Sequence, residues 1–467
     1  MNCVHMLSEP ENKNNSRPEV VILGGGFGGI SAAQALASAP VNVTLIDKHN
    51  YHLFQPLLYQ TATAALNPAE IASPIRGILK AQKNITVFMD TVTAVNKDAK
   101  LVHTENGRAI PYDFLIVATG ARHSYFNNDH WAEQAPGLKS LDDAMKLRHR
   151  ILFAFEQAEM ISDPELHHAY LTFVIIGGGP TGVEMAGAIA ELGHSIAHDF
   201  RTFSTRCAKV ILVEAGDRIL AQFHPDLSAR AKNDLESMGV QVMTNTRVEQ
   251  MEKGVVILNG NRLAAETVIW AAGVQASPAG TWLDAKTDRA GRVLVNQDLS
   301  IPGCPEIFVV GDTAAFIPEN SERPLPGVAP VAKQQGRFVG KLIRDRLQGK
   351  RGKDRFRYLD FGSMATIGRN RAVADLFGLH ISGTIGWFLW SFAHIYFLID
   401  FRNRIRVALS WLWAYLTYQR GSRLITGMGF NIEENDNEKQ YKQPGEISQP
   451  GIAGGRSTRR LRMGSTG

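Results

Sequence analysis

Cysteine is scarce in this 467-residue chain, and its three cysteines, Cys3, Cys207 and Cys304, lie far apart. No CxxC or CxxxxC pair occurs, so the sequence predicts neither a disulfide framework nor a redox-active cysteine pair. Such cysteine usage is typical of a reducing compartment. We interpret Cys207 and Cys304 as buried apolar residues, and we predict no metal site.

Strong net charge is also missing, because 50 Lys and Arg against 45 Asp and Glu leave a formal charge of only +5. So small an excess disfavours general nucleic-acid binding. The arginines instead cluster near the C-terminus, within 402–406, 420–423 and 456–462. This distribution indicates a local anionic partner.

The two ends of the sequence contain few apolar residues. Residues 1–19 lack the apolar stretch of a secretory signal, and we expect 1–17 to be a flexible leader. Residues 431–467 are polar and contain Gly and Pro, a composition that predicts disorder.

A glycine-rich motif follows the first apolar run of the chain. The run 20–23 leads into GxGxxG, formed by Gly24, Gly26 and Gly29, then an Ala-rich helical segment and a strand that ends at Asp47. In dinucleotide-binding folds the three glycines permit the turn, the approach of a pyrophosphate and close helix packing, and the acidic residue accepts hydrogen bonds from a ribose. The order of elements therefore predicts a first dinucleotide site.

The same pattern recurs later in the chain. The run 171–176 precedes Gly177, Gly179 and Gly182, and the next strand ends at Glu214. The interval to Glu214 is longer than usual, and we attribute it to an extended helix or loop. An acidic residue at this place favours NAD over NADP, because a 2′-phosphate would meet a negative charge.

Three more predicted strands end in small-residue turns, within 112–124, 267–277 and 305–316. This order of motifs resembles the two-dinucleotide flavoproteins that include the pyridine nucleotide-disulfide reductases. The resemblance implies an α/β fold with two Rossmann-like domains, FAD on the first fingerprint and NAD(P)H on the second.

The same resemblance implies a discontinuous FAD-binding domain. Its two parts are expected at 18–140 and 291–350, with the NADH-binding domain, 165–290, inserted between them. A C-terminal helical region that associates with a membrane is expected over 351–430.

The missing cysteine pair narrows the choice of activity. Disulfide reductases need a cysteine pair beside the flavin, and sulfide:quinone oxidoreductases also need spaced cysteines, so electrons must leave directly to a quinone, to oxygen or to a protein partner. The stretches 52–76, 177–192 and 324–340 resemble the type II NADH:quinone oxidoreductases, single-chain respiratory NADH dehydrogenases that do not pump protons. A membrane quinone is then the expected electron acceptor.

Carried over residue by residue, this resemblance implies two sets of cofactor contacts. Contacts with FAD are expected at Gly24, Gly26, Phe27, Gly29, Asp47, Lys48, Thr119, Gly120, Asp312 and Ala332. Contacts with NADH are expected at Gly177, Gly179, Gly182, Glu214 and Gly273.

The catalytic residues expected from the resemblance are Glu184, Gln334 and Gln335. Glu184 would lie near the nicotinamide and the quinone, where it could relay a proton, although a glutamate near a helix N-terminus is also stabilised by the helix dipole alone. The two glutamines could hydrogen-bond a quinone or the flavin, or simply begin a helix. Lys333 stands in their motif where an uncharged residue is often found, so the role of that position stays open.

An aromatic tail raises the question of membrane contact. Residues 381–399 carry no formal charge, 402–406 reads RNRIR, and 407–419 is again uncharged but too short to cross a bilayer. We therefore expect an interfacial anchor. Its predicted contacts with anionic lipids are Trp387, Trp390, Arg402, Arg404, Trp411 and Trp413. Packing of these segments against the body, or a homodimer interface, is the alternative.

The expected protein is thus a peripheral enzyme on the cytoplasmic face of the inner membrane. Two other functions stay open from the sequence. One is an NADH-dependent reductase of a soluble iron–sulfur protein, and the other is a flavin-binding sensor without turnover.

Overall fold

The computed structural model describes residues 17–350, 352–417 and 421–425. The predicted tail, 431–467, lies outside the described residues, as does the predicted leader except for residue 17.

The described residues form 25 strands and twelve α-helices. Strands β1 to β25 are, in chain order, Glu19–Leu23, Asn42–Asp47, Tyr51–Leu53, Ala72–Pro74, Ile85–Met89, Val92–Asn96, Leu101–Thr104, Ala109–Pro111, Phe114–Val117, Ala121–His123, Thr172–Ile176, Lys209–Val213, Val240–Met243, Val248–Glu252, Val255–Leu258, Asn261–Ala264, Thr267–Trp270, Val274–Ala276, Val293–Leu294, Ser300–Ile301, Cys304–Val309, Ala314–Ala315, Ser363–Gly368, Arg371–Leu376 and Leu379–Ser382. Helices α1 to α12 are Phe27–Ala35, Leu58–Ala62, Pro68–Ile71, Ile75–Ile78, Leu141–Met160, Pro164–Tyr170, Pro180–Ser195, Pro225–Ser237, Ala279–Trp282, Ala329–Leu347, Gly383–Phe397 and Phe401–Thr417.

The first large sheet draws its strands from two separate parts of the chain. Its order is β20-β21-β9-β1-β2-β5, so strands from 300–309 lie beside strands from 19–117. β1 pairs in parallel with β2 and with β9, and β9 pairs in parallel with β21. The carboxyl ends of β1, β2 and β9 therefore share one edge, where ligands bind in such folds.

The second sheet comes entirely from the chain between those two parts. Its order is β13-β12-β11-β17, and all of its pairings are parallel. Every residue of β11 is buried, as expected for a central strand covered on both faces. The predicted α/β fold with two Rossmann-like sheets is confirmed.

Helix α10 fixes the second part of the first sheet against its beginning. It crosses α1 so closely that a Cβ at Gly336 would collide with the Gly28 carbonyl oxygen, and one at Gly340 would lie 2.7 Å from the Ala32 carbonyl oxygen. The close crossing brings the start of α10 to the glycine-rich loop.

The C-terminal region begins with a structure that the sequence reading did not predict. β23, β24 and β25 form an antiparallel sheet that packs on α7, and α11 and α12 follow it. Residues 381 and 382 end β25, so α11 is shorter than the uncharged stretch 381–399. RNRIR lies inside α12 and does not separate two segments.

Both described cysteines are free. Cys304 is half-buried, but Cys207 is exposed. The interpretation of Cys207 as a buried apolar residue is wrong, because Cys207 lies at the exposed end of a short 3-10 turn.

Candidate functional site

The first glycine-rich loop joins β1 to α1 and leaves room for a ligand. Gly24 has a φ of +99°, which favours glycine, and a Cβ at Gly29 would collide with the Gly24 carbonyl oxygen. A Cβ at Gly26 would meet nothing within 4 Å in the described part of the chain. The first turn of α1 carries no acidic residue, so its unpaired N–H groups and the positive end of its dipole serve an anion. This cradle fits a pyrophosphate.

A carboxylate closes the first loop from the side. Asp47 accepts a hydrogen bond from Gly25 N at 2.6 Å and a second from His49 N at 2.7 Å. Lys48, between them in sequence, is exposed. Asp47 is therefore fixed at the end of β2, where the ribose of a bound dinucleotide lies in this type of fold.

The second loop repeats the first, between β11 and α7. Gly177 has a φ of +110°, and a Cβ at Gly182 would collide with its carbonyl oxygen, whereas the Cβ position of Gly179 is open. Glu214 accepts hydrogen bonds from Gly178 N and from Gly216 N, both at 2.6 Å. The long interval before Glu214 consists of α7, which extends to Ser195, and a loop.

Further predicted FAD contacts meet beside the first loop, together with two hydroxyl residues that the sequence reading missed. Thr119 Oγ1 lies 2.5 Å from Ser277 Oγ, and Thr313 Oγ1 donates to Gly120 O at 3.1 Å. Ser277 and Thr313 are distant from Thr119 in sequence, so only the tertiary fold could have revealed them.

Asp312 lies on the same edge, and the sequence reading also missed its partner. The Asp312 carboxylate and the Lys139 ammonium are 4.0 Å apart. Gly273, beside the second loop, accepts a hydrogen bond from Ser124 N at 3.1 Å. Thr119, Asp312 and Gly273 therefore lie just after the carboxyl ends of β9, β21 and β17.

The two glutamines of α10 hydrogen-bond to the backbone. Gln335 is 1% exposed and accepts from Gly311 N at 2.7 Å, which fixes the turn before Asp312. Gln334 donates to Leu359 O at 2.9 Å and accepts from Leu359 N at 3.0 Å. Both amides hold backbone, so this geometry assigns them positioning roles. A direct catalytic role for either stays a prediction. Ala332 packs against Gly311.

Glu184 lies on α7 and lines a cavity of about 1090 Å³. Burial raises the pKa of Glu184 well above its usual value, against a smaller opposing effect of a hydrogen bond from the Thr366 backbone. A carboxyl group with a raised pKa can hold a proton near neutral pH and donate it.

Indole rings form another wall of this cavity. Trp411 Nε1 donates to Gln60 Oε1 at 2.7 Å, and the Trp411 ring stacks on Trp390 with the centroids 5.4 Å apart. Trp390 in turn stacks on His394 at 4.1 Å. The cavity thus joins Glu184 to the two C-terminal helices.

A buried histidine beside the first loop escaped the sequence reading. His52 is 2% exposed, and its Nδ1 donates to Gly25 O at 2.9 Å. Burial lowers the pKa of His52 to about 4. Its imidazole is therefore neutral near pH 7.

The C-terminal helices turn a set of apolar side chains outward. On α11 four exposed apolar residues recur every three or four positions, and they are Ile385, Phe388, Phe392 and Tyr396. On α12 they are Phe401, Ile405, Leu409, Leu412, Trp413 and Leu416. We call these ten residues the apolar face. Neither helix is long and apolar enough to cross a membrane, and no other helix of the described residues is.

The predicted lipid contacts need a correction in part. Trp390 is only 2% exposed, so its prediction as a lipid contact is wrong. Trp387 and Trp411 are half-buried against the core, because the inner sides of the helices pack on the protein body. Trp413 is 62% exposed, and Arg402 is also exposed. Arg404 is half-buried and donates to Leu398 O at 2.8 Å.

Family models match two segments of the chain. The model described as pyridine nucleotide-disulphide oxidoreductase matches residues 18–336. The model described as NDH2 C-terminal domain matches residues 361–418.

Curated relatives match most of the chain. It is 43% identical to the type II NADH:quinone oxidoreductase Ndh of Mycobacterium tuberculosis, over 90% of this chain and 92% of that protein. It is 42% identical to NdhA of the same organism, over 88% and 90%. It is 32% identical to the type II NADH:quinone oxidoreductase of Staphylococcus haemolyticus, over 79% and 92%.

Solved structures share the fold at lower identity. NDH2 from Plasmodium falciparum in complex with NADH has a TM-score of 0.79 at 21% identity, covering 87% of this chain and 99% of that one. The sulfide:quinone oxidoreductase of Aquifex aeolicus has a TM-score of 0.65 at 19% identity, covering 91% and 96%.

Proposed function

The chain belongs to the type II NADH:quinone oxidoreductases, the non-proton-pumping NADH dehydrogenases of the pyridine nucleotide-disulphide oxidoreductase family, and we propose how its residues divide the work. The first cradle holds FAD, and the second holds NADH. The observation that carries this division is the repeated carboxylate and glycine geometry, in which Asp47 and Glu214 each bind a glycine-rich loop at 2.6 Å.

FAD supplies the redox chemistry when it is bound, because it accepts hydride from NADH and passes two electrons to the quinone. The chain supplies position. Gly24, Gly26, Gly29 and the start of α1 bind the pyrophosphate, and Asp47 binds the adjoining ribose. Further FAD contacts come from Phe27, Lys48, Thr119, Gly120, Asp312 and Ala332.

NADH is held by the second cradle. Gly177, Gly179 and Gly182 at the start of α7 bind its pyrophosphate, with Gly273 on the neighbouring strand end. Glu214 accepts hydrogen bonds from the adenosine ribose, and its negative charge disfavours the 2′-phosphate of NADPH.

Glu184 takes part in the proton uptake that the reaction requires. The reaction NADH + H⁺ + quinone → NAD⁺ + quinol takes up one proton from water per turnover. Because burial raises the pKa of Glu184 well above its usual value, its carboxyl group holds a proton at higher pH than an exposed glutamate does, and it can release that proton inside the protein. Arg206 and Arg369 also line the cavity beside it.

The quinone is reached from the lipid, through the apolar face. Exposed Phe388 and Phe392 lie on α11, and their burial in a bilayer surface would remove large apolar areas from water. Arg402 and Trp413 join them at the headgroup level, Arg402 toward anionic lipids. The enzyme would then sit as a peripheral protein on the cytoplasmic side of the membrane, where NADH is made.

The proposal is tested on detergent-extracted holoenzyme without oxygen. One equivalent of NADH per flavin should bleach the flavin absorbance, and a water-soluble quinone should then restore it. If NADH bleaches the flavin but no quinone restores it, the quinone assignment is wrong.

A further inference from the structure

Lys333 occupies an unusual place at the start of α10. The preceding residue, Ala332, packs on Gly311, next to Asp312 of the proposed FAD site. The Lys333 ammonium lies over the ring of Phe397 on α11, 5.2 Å from its centroid. The side chain is half-buried against the C-terminal end of α11.

The groups around Lys333 are positively charged or neutral, so they do not offset the positive charge of its ammonium. Arg404 of α12 is a cation, and the His52 and His394 imidazoles are neutral near pH 7, because burial lowers the pKa of both to about 4. Among the described residues no carboxylate lies within ion-pair distance of the Lys333 ammonium. The carboxylate of Asp312 on the adjoining turn pairs instead with Lys139.

Such surroundings favour the neutral amine. Burial, and then the Arg404 guanidinium, lower the pKa of Lys333 below its ordinary value. A lysine that only solubilised the surface would extend into water, whereas Lys333 is half-buried on the Phe397 ring, and no carboxylate of the described residues offsets its desolvation. A cation that is held on an aromatic ring without a carboxylate partner, beside a redox site, is a candidate for proton transfer.

Ring contacts place Lys333 on the side of the lipid-facing helices. Phe397 lies one helical turn after His394, whose ring stacks on Trp390 in the wall of the Glu184 cavity. His394 also contacts the edge of Phe54, at 6.3 Å. A quinone ring that passes between the end of α11 and the start of α10 on its way to the flavin would meet the Lys333 ammonium.

We propose that Lys333 is the general acid that protonates a quinone oxygen as the quinone is reduced. The inference rests on the quinone reductase activity and on the FAD placement proposed above. NADH supplies two electrons and one proton to the quinone by way of the flavin, and the Lys333 ammonium supplies the second proton. An O–H bond forms as an N–H bond breaks. The resulting amine regains its proton from water by way of Glu184, which lines the cavity beside α11 and relays the one proton that the reaction takes up.

The test compares three variants of the holoenzyme with the wild type in anaerobic stopped-flow experiments. Lys333→Met removes the proton, Lys333→Arg keeps a cation that does not give up its proton, and Lys341→Met changes an exposed lysine of the same helix. Flavin bleaching by NADH and flavin recovery with a water-soluble quinone are followed separately between pH 5 and 10. Flavin content and melting temperature show whether each variant is folded.

Wild-type recovery should slow as pH rises through the pKa of Lys333, because the acid is lost. Recovery should be about a hundredfold slower in Lys333→Met and in Lys333→Arg, and it should no longer depend on that ionisation. Bleaching by NADH should be unchanged in all variants, and Lys341→Met should match the wild type.

A second readout does not use turnover. Trinitrobenzenesulfonate labels neutral amines, and mass spectrometry of the labelled peptides gives the rate at each lysine. Lys333 should begin to react at lower pH than Lys341, and the quinone should protect Lys333 alone.

Three results would distinguish a failure of the general-acid proposal from a failure of the proposed function. Full recovery rates in Lys333→Met overturn the general acid, and full rates in Lys333→Arg also overturn it, since charge alone would then suffice. If no quinone restores the wild-type flavin, the proposed function has failed instead.

Discussion

Trp411 Nε1 donates a 2.7 Å hydrogen bond to Gln60 Oε1 and so ties α12, which carries part of the apolar face, to α2 beside the redox site. Gln60 is buried, and its amide nitrogen donates to the Tyr59 hydroxyl at 2.9 Å. The helices proposed to touch lipid are therefore part of the folded body, and changes there should affect stability as well as membrane binding.

The first prediction concerns this bond. Trp411→Phe leaves the Gln60 oxygen buried without its donor, which should lower the free energy of unfolding by about 1–3 kcal/mol. Urea unfolding followed by fluorescence measures the change. Trp413→Phe is the matched control, because Trp413 is 62% exposed and its loss should change stability by less than about 0.5 kcal/mol. Equal losses in both variants would contradict the assignment.

The second prediction concerns the apolar face. Phe388→Glu combined with Phe392→Glu should weaken binding to phosphatidylglycerol vesicles at least about a hundredfold, because each buried Phe contributes about 1.5–3 kcal/mol. Vesicle sedimentation measures the bound fraction. Phe377→Glu is the control, since Phe377 is 77% exposed but lies in the turn between β24 and β25. Unchanged binding of the double variant would show that this face does not meet lipid.

The third prediction separates the two adjacent glutamines. Gln335→Leu removes the acceptor of Gly311 N and should weaken FAD binding by about 1–3 kcal/mol, because the turn before Asp312 loses its support. Gln334→Ala removes only the two hydrogen bonds to the Leu359 backbone and should leave the affinity for FAD unchanged. Titration of the apoprotein with FAD gives both affinities. Equal FAD affinity in the two variants would argue against the positioning role of Gln335.

The two glycine-rich loops could be predicted from the sequence, because each is formed by residues that are close together in the chain. The glycine spacing, and an acidic residue at or directly after the end of β2 and of β12, are local sequence patterns. Each such pattern determines one local backbone geometry. By contrast, the partners of Gln335, Thr119 and Asp312 come from distant segments, and no local pattern reveals them.

Helix α11 shows a different limit of prediction from the sequence. Tryptophans and phenylalanines alternate along α11, and composition alone suggested that the indoles meet lipid. The fold instead buries Trp390 and exposes Phe388 and Phe392. The antiparallel sheet β23 to β25, which orients α11, decides this, and its short strands were not predicted.

The fourth prediction concerns cofactor choice. Glu214→Ala should raise the KM for NADH about tenfold or more, because the ribose loses a charged acceptor and the second loop loses two hydrogen bonds. It should also narrow the preference for NADH over NADPH. Steady-state kinetics with each nucleotide measures both effects, with the exposed Asp217→Ala as control. An unchanged KM for NADH would tell against the second cradle.

The fifth prediction concerns pH. Because burial raises the folded-state pKa of Glu184 above its unfolded value, the folded protein binds the extra proton, and stability falls as pH rises above about 4.5 toward the folded pKa. Glu184→Gln removes this loss, so its melting temperature relative to the wild type should increase with pH. It should also slow one half-reaction while FAD stays bound. Identical pH profiles of stability and of both half-reactions would remove Glu184 from the proton path.

The most direct test of the whole account uses the purified holoenzyme with closed vesicles that contain quinone in their bilayer and a pH-sensitive dye inside. With NADH added outside under anaerobic conditions, the account predicts one quinol formed per NADH oxidised and no change of the internal pH beyond that of protein-free vesicles. NADH oxidation that requires an added soluble iron–sulfur protein, or that acidifies the vesicle interior, would contradict it.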